Sequence, residues 1–551
     1  MKKLKFLIPF LALMLNSCDE YLDVNDDPNR LLLSQTGPEK LLPSAQVRCY
    51  ANQAGRMNEL GSVWTNAWAS NVASFTGGFA LEFQLNVDPA FYRDIFENTY
   101  LRVNNFNYIT KLPNNDHKND YFIAAAKICK VHYMQYMVDL YGDVPYTDAF
   151  KMTENSNPRY NDDQFVYRQL LTELDQARAL IVAANAVATD IAPYDVMLKG
   201  DMSKWYDFAN TIELRMLLRM SNSTGAVATY RNARIAALPA SFVTADVTIN
   251  PGYNSSTDDQ YNPTNGRYSF DAAGAATQNW TFIAMSGHLF KSTRVGAAWN
   301  GTEVVAGSGV FYPAVNDFRS GGGTGGMFRS STRAVTQGST TVDVPGTAGL
   351  PGRIGYGILN PYGIFPPVAA IADIQKMAAS NGFVMTASES FLLQAEAGLR
   401  PEFAALGLAG SVQANFDAGV NASFDRLGIT IQLPTAAATY RTAINSKANY
   451  GLGGSTTFNQ KLHAIMYQKW MALAGIHGIE AFIEYNRTGF PVTPNAITAP
   501  AGSIKPRRLI YPTSEYIANA ANVPNITPAM IFATTDPSHP FWMLGNPPLG
   551  N

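Results

Sequence analysis

The one chemistry this sequence states openly is that of a single cysteine. Lys2, Lys3 and Lys5 precede an apolar run of ten residues, Phe6 to Leu15, which ends at Leu15-Asn16-Ser17-Cys18. A run that short does not span a membrane as a helix, so it reads as a secretory signal. A small residue directly before a cysteine at the cleavage position resembles the bacterial lipobox, in which the thiol is acylated and the cysteine becomes the new amino terminus. Cys18 is therefore the expected lipid-attachment residue, and an ordinary signal peptide with an incidental cysteine is the alternative. Two or more acyl chains, palmitate among them, hold a protein stably where one is marginal.

Other constellations fail on inspection. There is no GxSxG and no HExxH, and the glycine run SGGGTGG at 320–326 lacks the Gly-Lys-Ser/Thr of a phosphate loop. Asp23 to Asp27 begin like a calcium loop, but Pro28 stands where glycine is needed and Ser34 where glutamate is needed. His463 and His477 are not spaced as metal ligands on one helix face, and the 43 acidic residues always allow some carboxylate pair to be named. No catalytic residue, metal site or cofactor is expected. A formal net charge of -2 leaves no basic footprint for nucleic acid. Of the remaining cysteines, Cys49 and Cys129 could pair in an exported protein, yet Cys129 falls on an apolar helix face where a buried thiol is the blander expectation. The sequence leaves that choice open.

Binding remains, and the residues that could do it are aromatic. Aromatics make up 12% of the chain, including 27 Tyr. Residues 245–368 are rich in Gly, Asn, Ser and Thr, lack helical periodicity, and still carry Tyr253, Trp280, Trp299 and Tyr312. Such rings argue against disorder. An exposed ring offers a flat face to a sugar or a peptide side chain, with Asn and Arg supplying hydrogen bonds. Trp64, Trp68, Asn71, Trp280, Trp299 and Tyr312 are the candidate ligand-binding residues, and packing within a loop core is the competing reading of each.

These residues need a scaffold, and the periodicity supplies one. Phe122, Ala126, Cys129, Tyr133, Tyr136 and Leu140 line one face of a helix that stops at YGDVPY, through Gly142 and Pro145. Tyr92, Ile95, Phe96, Tyr100 and Val103 mark a helix before it. Val166, Leu170, Leu174 and Ala177 mark one after it, with Asn161 and Gln164 in the form of a capping box. Trp205, Phe208, Ala209, Ile212 and Met216 mark another, and helices resume after residue 369. Glu396, Glu480 and Arg487 sit on or beside apolar faces and read as buried partners tying helices together, and Arg507 and Arg508 read as structural bridges. Trp205 and Trp470 read as core. The expected fold is mainly α, a tetratricopeptide-like helix-pair scaffold bearing a large irregular, loop-rich lobe.

Several segments together carry a resemblance. YGDVPYTDAF followed by FVYRQLLTELDQA, then W-x-x-F-A-N-x-x-x-L-R within 203–220, FLLQAEA within 388–400, QKW with Glu480, Arg487 and GFP within 459–491, and RRLIYPTSE within 504–523 are similar to the SusD/RagB family of outer-membrane nutrient-binding lipoproteins. They run from Tyr121 to Val523. The resemblance implies a surface lipoprotein without bond-breaking chemistry, which captures oligosaccharide or peptide and delivers it to a SusC-like TonB-dependent transporter. In bacteria that carry the family, acidic residues such as Asp19 and Glu20 after the lipid-bearing cysteine resemble a surface-export signal. The expected division is a signal peptide at 1–17, a lipidated tether at 18–38, scaffold at 39–244, a ligand-binding insertion at 245–368, scaffold again at 369–491, and an irregular carboxy-terminal segment at 492–551 packing on it. The rivals are a surface glycan-cleaving enzyme, which needs two carboxylates about 5–9 Å apart in a cleft, and a helical-repeat scaffold or adhesin with an apolar groove.

Overall fold

Helices assemble in consecutive packed pairs, beginning with α1 (Pro38–Asn52), a π-helical turn (Gln53–Met57) and α2 (Asn58–Trp64). Then come α3 (Asp94–Ile109), α4 (Asp120–Tyr141), α5 (Asp163–Ala183), α6 (Met202–Arg219) and α7 (Gly225–Ala237). After the irregular stretch follow α8 (Ala387–Leu399), α9 (Val412–Arg426), α10 (Ala436–Asn445), α11 (Phe458–Leu473) and α12 (Gly478–Thr488). This is the expected mainly helical, tetratricopeptide-like scaffold. The computed structural model describes residues 36–72, 78–151, 154–184, 187–293, 297–299, 304–306, 317–320, 326–328, 334–340, 354–359 and 377–544. Cys18, the tether as far as residue 35 and Tyr312 lie outside them.

The periodic face of α4 understates that helix. All its residues but Tyr121 and Lys127 are buried, because α3 and α5 pack on it from different sides. Gly142 ends it with φ +71°, a conformation glycine adopts without strain. Two of its last carbonyls are satisfied from the far end of the chain. Leu509 N–H donates to Leu140 O at 2.7 Å, and the Tyr511 hydroxyl donates to Tyr141 O at 3.0 Å. Cys49 and Cys129 are both free and buried, with Cys129 Sγ 3.9 Å from Met197 Sδ.

Two local expectations need correction. The α5 cap is Asp162, whose carboxylate accepts Phe165 N–H at 2.9 Å. Asn161 instead sits in a short strand and accepts the N–H groups of Tyr146 and Thr147 at 3.0 and 2.9 Å, pinning the turn after α4. Arg508 does bridge, donating to Leu509 O at 3.1 Å and to Ser538 O, but the Arg507 side chain bridges nothing.

Between α11 and α12 the chain breaks at Gly475, φ +74°, where α2 crosses it. Asn58 donates to Gly475 O at 2.9 Å and accepts Gly478 N–H at 3.0 Å. A Cβ placed on Gly61 would lie 2.0 Å from Gly478 C, so only glycine permits this crossing.

The irregular stretch is closed at its base. β4 (Val247–Ile249) pairs antiparallel with β8 (Gly382–Met385), so the chain leaves and re-enters the scaffold at one place. Within it β5 (Ile283–Met285) pairs antiparallel with β1 (Trp68–Ser70) of the amino-terminal part. Its buried residues, Trp280, Met285, Leu289, Phe328 and Ile358 among them, share one hydrophobic core with α8, α9, α10 and α11. A second, larger core joins α1 to α7 with Leu509 to Tyr511 and Phe541 to Met543.

Where the two helical blocks meet, the interface is ionic. Arg215 and Arg219 of α6 are fully buried. Arg215 contacts Glu389 at 3.0 Å, while Arg219 contacts Glu480 at 2.7 Å, Asp139 at 3.3 Å, and Glu484. Lys469 contacts Glu480 at 3.1 Å, and Arg487 joins Glu484 to Glu396, the latter at 2.6 Å. Burial alone would raise the Glu480 carboxyl, but the charges of Arg219 and Lys469 outweigh it and hold the group at about 2. Glu389, opposed by Arg215, and Glu484, opposed by Arg487 and Lys469, stand at about 2 for the same reason.

A group whose folded pKa is depressed stabilises the fold above its unfolded value and loses that contribution as pH falls through the folded one. The protein is therefore expected to lose stability on acidification from the ordinary glutamate value of 4.5 toward about 2, read as a falling melting temperature in calorimetry. Removing one partner of the network leaves buried charge uncompensated. Arg487→Leu should cost about 3–5 kcal/mol in urea unfolding, and a loss under about 1 kcal/mol, the value of an exposed pair, would refute the ionic account of the junction.

Candidate functional site

Three of the sequence candidates, Trp68, Asn71 and Trp280, meet at the junction of β1 and β5, but not as a surface. Trp64 is 3% exposed and packs between Phe91 and Phe482, with ring centroids 5.4 and 4.8 Å away. Trp68 is 0% exposed and meets Tyr268 edge-on at 5.2 Å. Trp280 is 1% exposed and packs against Phe270 at 5.2 Å. Asn71 is buried too. Its N–H donates to Phe282 O at 2.6 Å and its side chain to Thr281 O at 2.8 Å, so it extends the β1–β5 ladder. A platform needs a solvent-facing ring, and these three indoles have none. The expectation that Trp64, Trp68, Asn71 and Trp280 form an exposed platform is corrected: Trp68, Asn71 and Trp280 join the lobe to the amino-terminal part, and Trp64 packs within the scaffold core. Trp299 ends a two-stranded hairpin, opposite Val304, but its side chain and all of Tyr312 lie outside the described residues.

The rim of the same junction presents different residues to solvent. Arg56, from the π-helical turn, and Arg267, from the lobe, are 32% and 30% exposed and share the Glu59 carboxylate at 2.7 Å each. The Tyr92 hydroxyl donates to Glu59 at 3.1 Å and to Glu82 at 2.8 Å, and the Arg56 guanidinium lies 3.9 Å over the Tyr92 ring. Burial raises the Glu82 carboxyl, with nearby Glu59 adding to the effect and the Tyr92 hydrogen bond opposing it. Beside this cluster Phe282 is half-buried and packs on Phe79 at 4.6 Å, and Leu81 is 49% exposed. Gly78 lies under the Phe282 ring, where a Cβ would approach to 2.0 Å. The rim thus combines an aromatic edge with guanidinium donors and carboxylate acceptors, the chemistry that grips a polyhydroxylated ring.

Sequence reasoning missed this rim. Arg56 and Arg267 are 211 residues apart in number, and only pairing through Glu59 brings them together. A surface cleft of about 370 Å³ on α9 and α10 offers less. Its Asp417 is occupied by Arg441 at 2.9 Å and Gln413 at 3.0 Å, and its one ring, Phe416, is buried. Asp143, Asp162 and Asp163 cluster at the turn before α5, but Asp162 caps α5 and Asp163 accepts Phe541 N–H at 2.6 Å. Among the described residues no helix is long and apolar enough to cross a membrane.

Comparison with known proteins agrees with this architecture. Residues 28–268 match a family model described as "starch-binding associating with outer membrane", and residues 367–543 match one described as "Susd and RagB outer membrane lipoprotein". The fold is similar to that of a chitin-binding SusD homologue from Flavobacterium johnsoniae, at 21% identity and TM-score 0.63, covering 92% of this chain and 99% of that one. It is also similar to a SusD homologue from Parabacteroides distasonis, at 19% identity and TM-score 0.65, covering 93% and 98%. No curated protein matches the sequence.

The placement of the indoles makes a direct prediction. Trp280→Ala should leave a cavity in the shared core and cost about 3–5 kcal/mol, lowering the melting temperature before any ligand is added. An unchanged melting temperature would place that ring outside the core.

Proposed function

We propose that this chain, a member of the SusD/RagB family of outer-membrane lipoproteins, captures oligosaccharide at the cell surface and hands it to a SusC-like TonB-dependent transporter. The observation that carries the reading is the match of SusD-type family models to both helical blocks, the first reaching into the start of the lobe. That related structures include a chitin-binding protein favours carbohydrate over peptide. Cys18 is the residue that would bear the lipid and hold the protein on the outer membrane, facing outward.

Capture needs reversible binding and no bond cleavage. In this reading a sugar ring lies against Phe282 and Leu81 at the lobe rim, while Arg56, Arg267 and Glu82 exchange hydrogen bonds with its hydroxyls. Phe79, Tyr92 and Glu59 hold those groups in place from behind. Trp299 and Tyr312 remain candidates for further ring contacts. Modest affinity suits such a site, because a ligand that is to be passed on must also leave.

Purified protein should bind soluble chitin or starch oligosaccharides in calorimetry and return them at unchanged length. Phe282→Ala should weaken that binding by about threefold to tenfold, the value of one ring contact, with the melting temperature nearly kept. Shortened products released by pure protein would replace capture with hydrolysis. Binding unaffected by Phe282→Ala would move the site away from this rim.

A further inference from the structure

Among the described residues the other buried arginines keep at least one acceptor, although Arg508 Nη2 is itself left without one. Arg215, Arg219, Arg319 and Arg487 each hold a carboxylate, and Arg231, Arg426 and Arg508 donate to backbone carbonyls. Arg507 differs. It is 2% exposed in the extended stretch 504–511, its backbone N–H donates to Ile531 O at 2.8 Å, and its side-chain Nε and Nη2 are buried without an acceptor.

Those two nitrogens form one edge of the guanidinium, and the protein shows what that edge takes. Arg267 Nε and Nη2 meet Glu59 Oε2 at 3.2 and 2.7 Å. Arg319 Nε and Nη2 meet Asp317 Oδ2 at 3.2 and 2.7 Å, in a fully buried pair. A rigid pair of parallel N–H groups matches a planar carboxylate better than any neutral acceptor. At Arg507 the same edge is present and no side chain among the described residues fills it.

Its surroundings deepen the mismatch. Burial pulls the Arg507 guanidinium down to about 10, which is the cost of a cation without a counter-ion expressed as acidity. Lys505, two residues earlier, is 4% exposed, donates to Thr493 O at 2.5 Å and lies 5.0 Å from the Tyr485 ring. Asn486, whose amide reaches Arg507 O at 3.5 Å, has a buried side-chain oxygen without a partner, as do Thr493 and Ser503. Hydroxyls can turn to donate toward an anion. So many unsatisfied groups in residues 486–507 are costly unless something polar completes them.

We infer that the Nε–Nη2 edge of Arg507 is a receptor for the carboxylate of a small ligand, beside Tyr485 and Asn486. The site is separate from the lobe rim and does not depend on neutral glycan capture. The carboxylate comes either from a free small acid or from an acidic sugar, and acetate and glucuronate stand for these two sources.

The test follows the arginine Nε–H resonances of the purified chain by NMR during titration with sodium acetate, sodium glucuronate, sodium chloride or glucose at equal ionic strength. One resonance, missing in Arg507→Lys, is expected to move saturably with a carboxylate and to stay still with chloride and glucose. Movement with both carboxylates assigns a general carboxylate site, and movement with glucuronate alone assigns an acidic-sugar site. Calorimetric affinity should fall by about tenfold or more in Arg507→Lys, which keeps the charge and loses the fork, while circular dichroism confirms the fold. If that variant does not fold, crystals of the unaltered protein soaked in bromoacetate decide, since bromine density beside the Arg507 edge supports the site and its absence there overturns it. No saturable shift, or an equal shift with chloride, also overturns the inference and leaves only water or an adventitious ion at Arg507.

Discussion

The structure depends on keeping charge inside it neutral. Asp139, Glu389, Glu396, Glu480 and Glu484 meet Arg215, Arg219, Lys469, Arg487 and Arg400 in one buried run that joins α4, α6, α8, α11 and α12. Each charge taken out of water is costly, and only close, hydrogen-bonded pairing offsets that cost. Apolar faces can slide past one another with little penalty, whereas two arginines on one helix cannot move a turn without stranding their partners. The network therefore supplies register to two helical blocks that lie far apart in sequence, while the two hydrophobic cores supply most of the driving force.

That register has a consequence for the lobe. The described residues of 245–368 form only short helices and strands, and their order comes from what they lean on. Gln337 donates to Val63 O at 2.7 Å and to Trp68 O at 2.6 Å, and Ser286 donates to Asn66 O at 2.5 Å, so backbone groups of the amino-terminal part are satisfied by side chains of the lobe. Indoles and amides then bury themselves at the seam. Solvent is left with the shorter and more polar residues of the rim, which a ligand can reach without disturbing the core.

Arg507 departs from the rule that governs the rest. Among the described residues the other buried arginines keep at least one carboxylate or carbonyl, and in the segment after α12 donors and acceptors are left open together. A fold that matches so many ionic groups internally makes one unmatched fork conspicuous as a place for chemistry from outside.

Local pattern was enough for the helices, because amphipathic spacing records which residues face a neighbour: the faces through Tyr133 and Tyr136, and through Phe208 and Ile212, are buried as their spacing requires. The pairing of Glu396, Glu480 and Arg487 was legible in the same way, since a charge on an apolar face must find a counter-charge. By itself the sequence also determined the mainly helical class. Tertiary structure alone decided which aromatics face water. A tryptophan in an irregular stretch has no periodicity to mark its inner side, so Trp68 and Trp280 could be assigned to core only once β1 had paired with β5. The rim formed by Arg56, Arg267 and Phe282 was likewise invisible, because its members come from separate parts of the chain and meet only through the buried carboxylate of Glu59 and the contact with Phe79.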